Sequence, residues 1–94
     1  MLKTLEDLVN IIRERKSSSD DSSYTTKLLK DKSLSVKKVK EEIGELIESI
    51  ENNSNKVHEA ADVLYHLLVY LEGNGGRIED IMDELEKRKK KKES

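Results

Sequence analysis

The chain has 94 residues, 40% of them charged, with a formal net charge of −2 and a hydrophobic share of only 34%. That length suits one domain rather than two. So small and polar a chain is expected to be marginal as a lone monomer, with a partner subunit completing it. Cysteine, tryptophan and phenylalanine are absent, which excludes disulfide frameworks, zinc–thiolate sites and thiol nucleophiles. It also removes the aromatic platforms on which most nucleic-acid modules stack bases.

Residues Met1-Leu2-Lys3-Thr4-Leu5-Glu6-Asp7 carry no apolar leader, and nothing approaches the roughly 18 apolar residues of a membrane span. The expectation is a cytoplasmic protein that is neither secreted nor membrane-spanning. A first helix is predicted over 5–16, with Leu5, Leu8, Val9 and Ile12 as its stripe, Thr4 as N-cap and Asp7 in its first turn. Residues 17–23 are serine and aspartate alone and should form a mobile loop. Residues 24–29 are a short apolar-bearing segment to which no element is assigned.

The next helix is predicted to begin after Ser35 and to run to about 49–52. A polar joint, Asn52-Asn53-Ser54-Asn55, separates it from a helix over 56–72, which Gly73-Asn74-Gly75-Gly76 ends. The last helix is predicted over 78–90, burying Ile78, Ile81, Met82 and Leu85 before the chain frays at Lys89–Lys92. Proline is absent, and no alternating apolar pattern signals a strand. The fold class is therefore all-α: a helical bundle occupying residues 1–88, followed by a basic tail at 89–94. Residues 87–94 carry six basic side chains and one acid, a sum of +5, so the rest holds −7. An acidic body with a basic tip does not resemble a DNA-binding domain.

In the helix after Ser35, Val36, Val39, Ile43, Leu46, Ile47 and Ile50 share an arc of roughly 100°, and Glu41, Glu42 and Glu45 fall on the other side. Taken alone, those acids read as a solvated face, yet like charges three and four residues apart repel unless a cation compensates. Gly44 weakens the helix interior, through drift or to admit a neighbouring helix closely. From Ala60 to Leu71 the following helix is apolar around almost its whole circumference, which suits a central helix with a second face covered by another subunit.

Glu59 and Asp62 open that apolar stretch, and carboxylates there are costly unless compensated. A hairpin would bring them opposite Glu41, Glu42 and Glu45. A divalent cation reconciles the five, and the all-oxygen donor set suits Mg²⁺ first and Mn²⁺ second; a structural charge network is the competing reading. His66 could be a metal ligand, a substrate contact or a satisfied bundle histidine. Mg²⁺ on carboxylates suits phosphate chemistry. Arg13, Arg15, Lys16, Lys27, Lys30, Lys37, Lys38 and Lys40 are the cations available to phosphates, although each is ordinarily a surface charge.

Glu41-Glu42-x-x-Glu45 followed by Glu59-x-x-Asp62 resembles the signature of the all-α, MazG-like nucleoside-triphosphate pyrophosphohydrolases. Ser23-Tyr24-Thr25 with Lys27-Leu28-Leu29, then Lys38-Val39-Lys40-Glu41-Glu42, and above all Glu59-Ala60-Ala61-Asp62-Val63-Leu64-Tyr65-His66, are similar to the phosphoribosyl-ATP pyrophosphohydrolases of histidine biosynthesis. The resemblance implies Mg²⁺-dependent hydrolysis of the α–β anhydride of 1-(5-phosphoribosyl)-ATP to phosphoribosyl-AMP and pyrophosphate, by a homodimer or a dimer of dimers. It implies Glu41, Glu42, Glu45, Glu59 and Asp62 as the metal-binding and catalytic cluster. Arg15, Tyr24, Thr25, Lys27 and Lys38 are implied as substrate contacts. Two positions depart from the family's pattern: Lys40 and Ser22 stand where glycine is usual. A related house-cleaning enzyme acting on canonical or damaged dNTPs, and a non-enzymatic helical dimerisation module, are the alternatives.

Overall fold

In the computed structural model, which describes residues 2–18 and 22–93 (the last two by backbone alone), the described residues form helices α1 (Lys3–Lys16), α2 (Tyr24–Lys30), α3 (Lys32–Glu51), α4 (Lys56–Gly73) and α5 (Ile78–Glu93). No strand occurs among them, as the sequence predicts. Ser19, Asp20 and Asp21 of the predicted mobile loop lie outside the described residues.

Local chemistry sets the boundaries. The first helix starts at Lys3 after Leu2 without any side-chain cap, so Thr4 is not its N-cap; Asp7 instead meets Lys3 Nζ at 3.2 Å, one turn away. The unassigned segment at 24–29 is a helix. Ser23 caps it, its Oγ accepting from Thr26 N–H at 3.0 Å. Asp31 both ends α2 and caps α3, accepting from Leu34 N–H at 3.1 Å. The third helix therefore begins at Lys32, earlier than the hydrophobic pattern implied. At the α3–α4 joint, Asn53 and Asn55 take positive φ values of 52° and 45°, a conformation asparagine tolerates better than most residues. At the next joint, Gly75 has φ +89° and a Cβ on Gly76 would collide with the Leu71 side chain, so the glycine-rich turn is sterically required.

The core is small: Val9 and Ile12 of α1, Leu28 of α2, and Leu68 and Val69 of α4, with Leu5, Leu8, Leu29, Leu34, Tyr65 and Ile78 around it. Helix α4 is central, packing against α1, α2 and, most extensively, α3, which its apolar circumference predicts. Helix α3 corrects the sequence reading. It turns Ser35, Glu42 and Ser49 inward, a line spaced by whole heptads and rotated roughly 90° from the apolar arc. Ile43, Ile47 and Ile50 are left exposed at 40%, 54% and 56%. The acidic side that reads as solvated is thus partly the packing face.

Helix α5 departs in the same direction. Ile78 packs on the core, but Ile81, Met82 and Leu85 are exposed rather than buried. The helix continues to Glu93 without fraying at Lys89. The radius of gyration is 15.0 Å, against about 12 Å for a compact domain of this length, and α5 is not among the helices that pack extensively on one another. A Cβ on Gly44 would meet nothing within 4 Å, so no helix of this chain approaches it closely.

Candidate active site

The hairpin is antiparallel because Glu45 lies near Glu59 at one level, while Glu42 feels the charges of Asp62 and His66 further along α4. Carboxylate oxygens of Glu42, Glu45 and Glu59 all lie within 4.8 Å of one another, and a second group, His58, Glu59 and Asp62, meets the same limit. Donor atoms about 2.1 Å from a small divalent ion stand up to about 4.2 Å apart. Small side-chain rotations would therefore let the three glutamates enclose one.

The donor set fits such an ion. Glu42 is buried at 6% exposure, and its Oε2, like Glu59 Oε2, is buried with no hydrogen-bond partner. Burial first, then contact with Glu45 and the charges of Glu45 and Asp62, push the Glu42 carboxyl above its ordinary range, with His66 opposing. A buried oxygen with no donor among like charges is a cost that a hard cation would offset.

The other sequence-predicted residues distribute as follows. Asp62 joins the second group and receives His58 Nε2 at 3.3 Å. The exposed Glu41 belongs to neither group and pairs with Lys38 Nζ at 3.2 Å. Lys38 also lies 3.6 Å from Glu42 Oε1, and its contact with Glu41 raises its pKa. Sequence reasoning passed over His58, although its spacing of one turn from Asp62 was a readable signal.

Tyr24 and Thr25 reach the site from α2. Tyr24 Oη lies 3.0 Å from His66 Nε2, and the Thr25 and Tyr65 hydroxyls are hydrogen-bonded to each other. Tyr24 and Tyr65 stack, with the His66 ring edge-on to both. Burial pushes the Tyr24 phenol up, with Lys38 opposing. Lys27 and Lys30 border a shallow depression beside Tyr24, Ser23 and Asp31. Arg15 is half-buried on α1, and among the described residues it makes no ion pair with the acidic cluster. Arg13 is not available to phosphates: its guanidinium pairs with Glu72 at 2.9 Å and Glu79 at 2.6 Å. Lys16 Nζ donates to the Glu72 carbonyl at 2.8 Å.

The family model for phosphoribosyl-ATP pyrophosphohydrolase matches residues 5–89. The chain belongs to the phosphoribosyl-ATP pyrophosphohydrolase family. It is 46% identical to the phosphoribosyl-ATP pyrophosphatase of Methylobacterium nodulans, over 90% of this chain and 82% of that protein. It is 39% identical to the phosphoribosyl-ATP pyrophosphatase of Sulfurisphaera tokodaii, over 92% and 95%. It is also 41% identical to the histidine biosynthesis bifunctional protein HisIE of Thermotoga maritima, where the match covers 89% of this chain but only 44% of the longer relative. The span matched by the family model contains both carboxylate groups and the α2 motif. Among the described residues no helix is long and apolar enough to cross a membrane.

Proposed function

We infer that this protein is a phosphohydrolase of histidine biosynthesis that adds water across the α–β anhydride of 1-(5-phosphoribosyl)-ATP, releasing phosphoribosyl-AMP and pyrophosphate. The observation that carries the reading is the convergence of Glu42, Glu45 and Glu59, with buried oxygens lacking donors, inside a chain of this family. Glu42, Glu45, Glu59 and Asp62 would hold Mg²⁺, or Mn²⁺ in its place, with Glu41 at the edge of the cluster. When bound, the ion supplies charge neutralisation at the phosphate oxygens.

The chain's own residues do the rest. The cluster's carboxylates orient the attacking water, and one of them accepts its proton. Lys38, already leaning over Glu41 and Glu42, offers positive charge at the rim, and Lys27 and Arg15 are the further cations for the phosphates. Tyr24 and Thr25 border the sugar and phosphates from α2. Residues 1–88 make up this unit, and the lysine-rich segment after it is a tail.

Incubation with phosphoribosyl-ATP, with and without Mg²⁺, tests the reading. Phosphoribosyl-AMP and pyrophosphate are expected as products only when the metal is present, and EDTA abolishes turnover. Robust turnover of a dNTP with none of phosphoribosyl-ATP would instead assign a house-cleaning substrate.

The exposed Ile43, Ile47 and Ile50 of α3, with Leu64 and Leu67 of α4, support a homodimer, or a dimer of dimers, built on this hairpin. These five side chains are about half exposed, so covering them contributes on the order of 5 kcal/mol per chain at about 1 kcal/mol each. Ile47→Asp is expected to shift sedimentation toward monomer and to lower the thermal midpoint. An unchanged sedimentation coefficient would move the interface elsewhere.

A further inference from the structure

Helix α2 presents one cationic side to solvent. Tyr24, Lys27 and Lys30 recur every third residue and are all exposed, while Thr26 and Leu28 are buried. The two ammonium groups stand on consecutive turns of one face, where like charges repel unless an anion compensates. With Tyr24, Ser22 and Ser23 they line a depression of about 480 Å³, within the range of small-molecule sites. Asp31 is on its wall as well, but that carboxylate accepts from Leu34 N–H at 3.1 Å as the cap of α3.

Tyr24 belongs to this depression and to the acidic cluster's surroundings together. Its ring meets His66 edge-on at 5.8 Å, and Lys38, Glu42 and Glu41 all act on its phenol. The other cations nearby are committed: Lys38 to Glu41 at 3.2 Å, Arg13 and Lys16 to Glu72. Positive charge thus stands in two separate places adjoining one tyrosine, with Lys38 beside the carboxylates and with Lys27 and Lys30 in the depression. A dNTP carries a single chain of phosphates. Phosphoribosyl-ATP has a further, isolated phosphate on its second ribose, with a charge of roughly −1.5 to −2 at neutral pH.

Resting on the pyrophosphohydrolase reading, we propose that the Lys27–Lys30 depression on α2 receives the 5-phosphate of the phosphoribosyl arm and so selects this substrate over nucleoside triphosphates that lack it. The triphosphate lies at the carboxylate cluster with Lys38, and Tyr24 adjoins the sugar that joins the two ends. Lys27 and Lys30 bind and discriminate without taking part in breaking the anhydride. The cluster by itself cannot make that distinction, because every triphosphate presents it with the same anhydride.

Two measurements test this. The first compares kcat/KM for phosphoribosyl-ATP and for 1-ribosyl-ATP, which lacks only that phosphate, in wild type, Lys27→Gln, Lys30→Gln and the pair. Both lysines are exposed, so these substitutions leave the fold intact. Wild type is expected to prefer the phosphorylated substrate by about 10²-fold, the worth of charge-assisted contacts to two lysines. Each single variant should cut that preference about 10-fold, mainly through KM, and the pair should nearly erase it. Lys38→Gln should instead lower both substrates by one common factor. The second measurement needs neither catalysis nor metal: ribose 5-phosphate is titrated into the EDTA-treated protein while amide NMR shifts are followed, with ribose as the control. Phosphate-dependent shifts on α2 are expected in wild type and in Glu42→Gln, and should vanish in the paired lysine variant. A wild type indifferent to the missing phosphate would overturn the proposal. So would a paired variant that keeps the wild-type preference, or ribose 5-phosphate shifts that are absent from α2 or survive that pair. Absence of turnover on either substrate, with the α2 shifts present, would refute the hydrolase reading instead and leave the phosphate site standing.

Discussion

Glu42→Gln is expected to lower pyrophosphate release by on the order of 10²- to 10³-fold, the loss of several kcal/mol of charge stabilisation. The helical circular dichroism should be left unchanged. In the metal-free protein the thermal midpoint should hold or rise, because the substitution keeps the side chain's shape and removes a charge that burial and Glu45 disfavour. The stabilisation that Mg²⁺ confers on wild type should shrink or vanish in the variant. Asp62→Asn should behave alike in activity. Melting curves with and without Mg²⁺, run beside the pyrophosphate assay, check all of this. A variant that unfolds while the metal response persists would make Glu42 a structural group.

The second large effect lies far from the chemistry. Glu72 is 2% exposed. Its carboxylate accepts from Arg13 Nε and Nη2, each at 2.9 Å, and from Ile78 N–H at 3.1 Å. The contact with Arg13 holds that carboxyl below its ordinary range and helps bring Glu79 down to about 2. Arg13 thereby ties α1 to the end of α4 and the start of α5. Arg13→Ala strands the buried carboxylate, and the thermal midpoint is expected to fall by at least about 10 °C. Glu79→Gln, which removes an exposed partner, should change it little.

Because both carboxyl pKa values are depressed in the folded state, the stabilisation is complete above the unfolded carboxylate range of about 4.3. It is lost as pH falls toward 2. The gap between wild type and Arg13→Ala should therefore close in acid, which melting curves from pH 7 down to the acid limit would show. A gap independent of pH would mean that Arg13 acts through packing.

Helix content was legible because local rules decide it. Apolar periodicity marked α1, α3, α4 and α5, and the asparagine and glycine joints lie where positive φ is needed. The short α2 was harder to see, since seven residues carry too little periodicity, and its cap, Ser23, sits among other serines. Family membership was legible from the acidic pairs together with Ser23-Tyr24-Thr25 and Tyr65-His66. The His58 neighbour of Glu59 and Asp62 was overlooked, and Arg13 was counted with the free cations because its partners lie 59 and 66 residues away.

What the sequence determined by itself was an all-α chain with two acidic motifs on successive helices, because residue type and spacing fix which side chains share a helical face. It could not determine which face of α3 turns toward α4. The tertiary structure decided that, turning Ser35, Glu42 and Ser49 inward while leaving Ile43, Ile47 and Ile50 outside. The physical reason is that a helix's rotation about its own axis is set by everything packed against it. A periodic pattern shows that an apolar face must be covered, but not whether this chain or a second copy covers it.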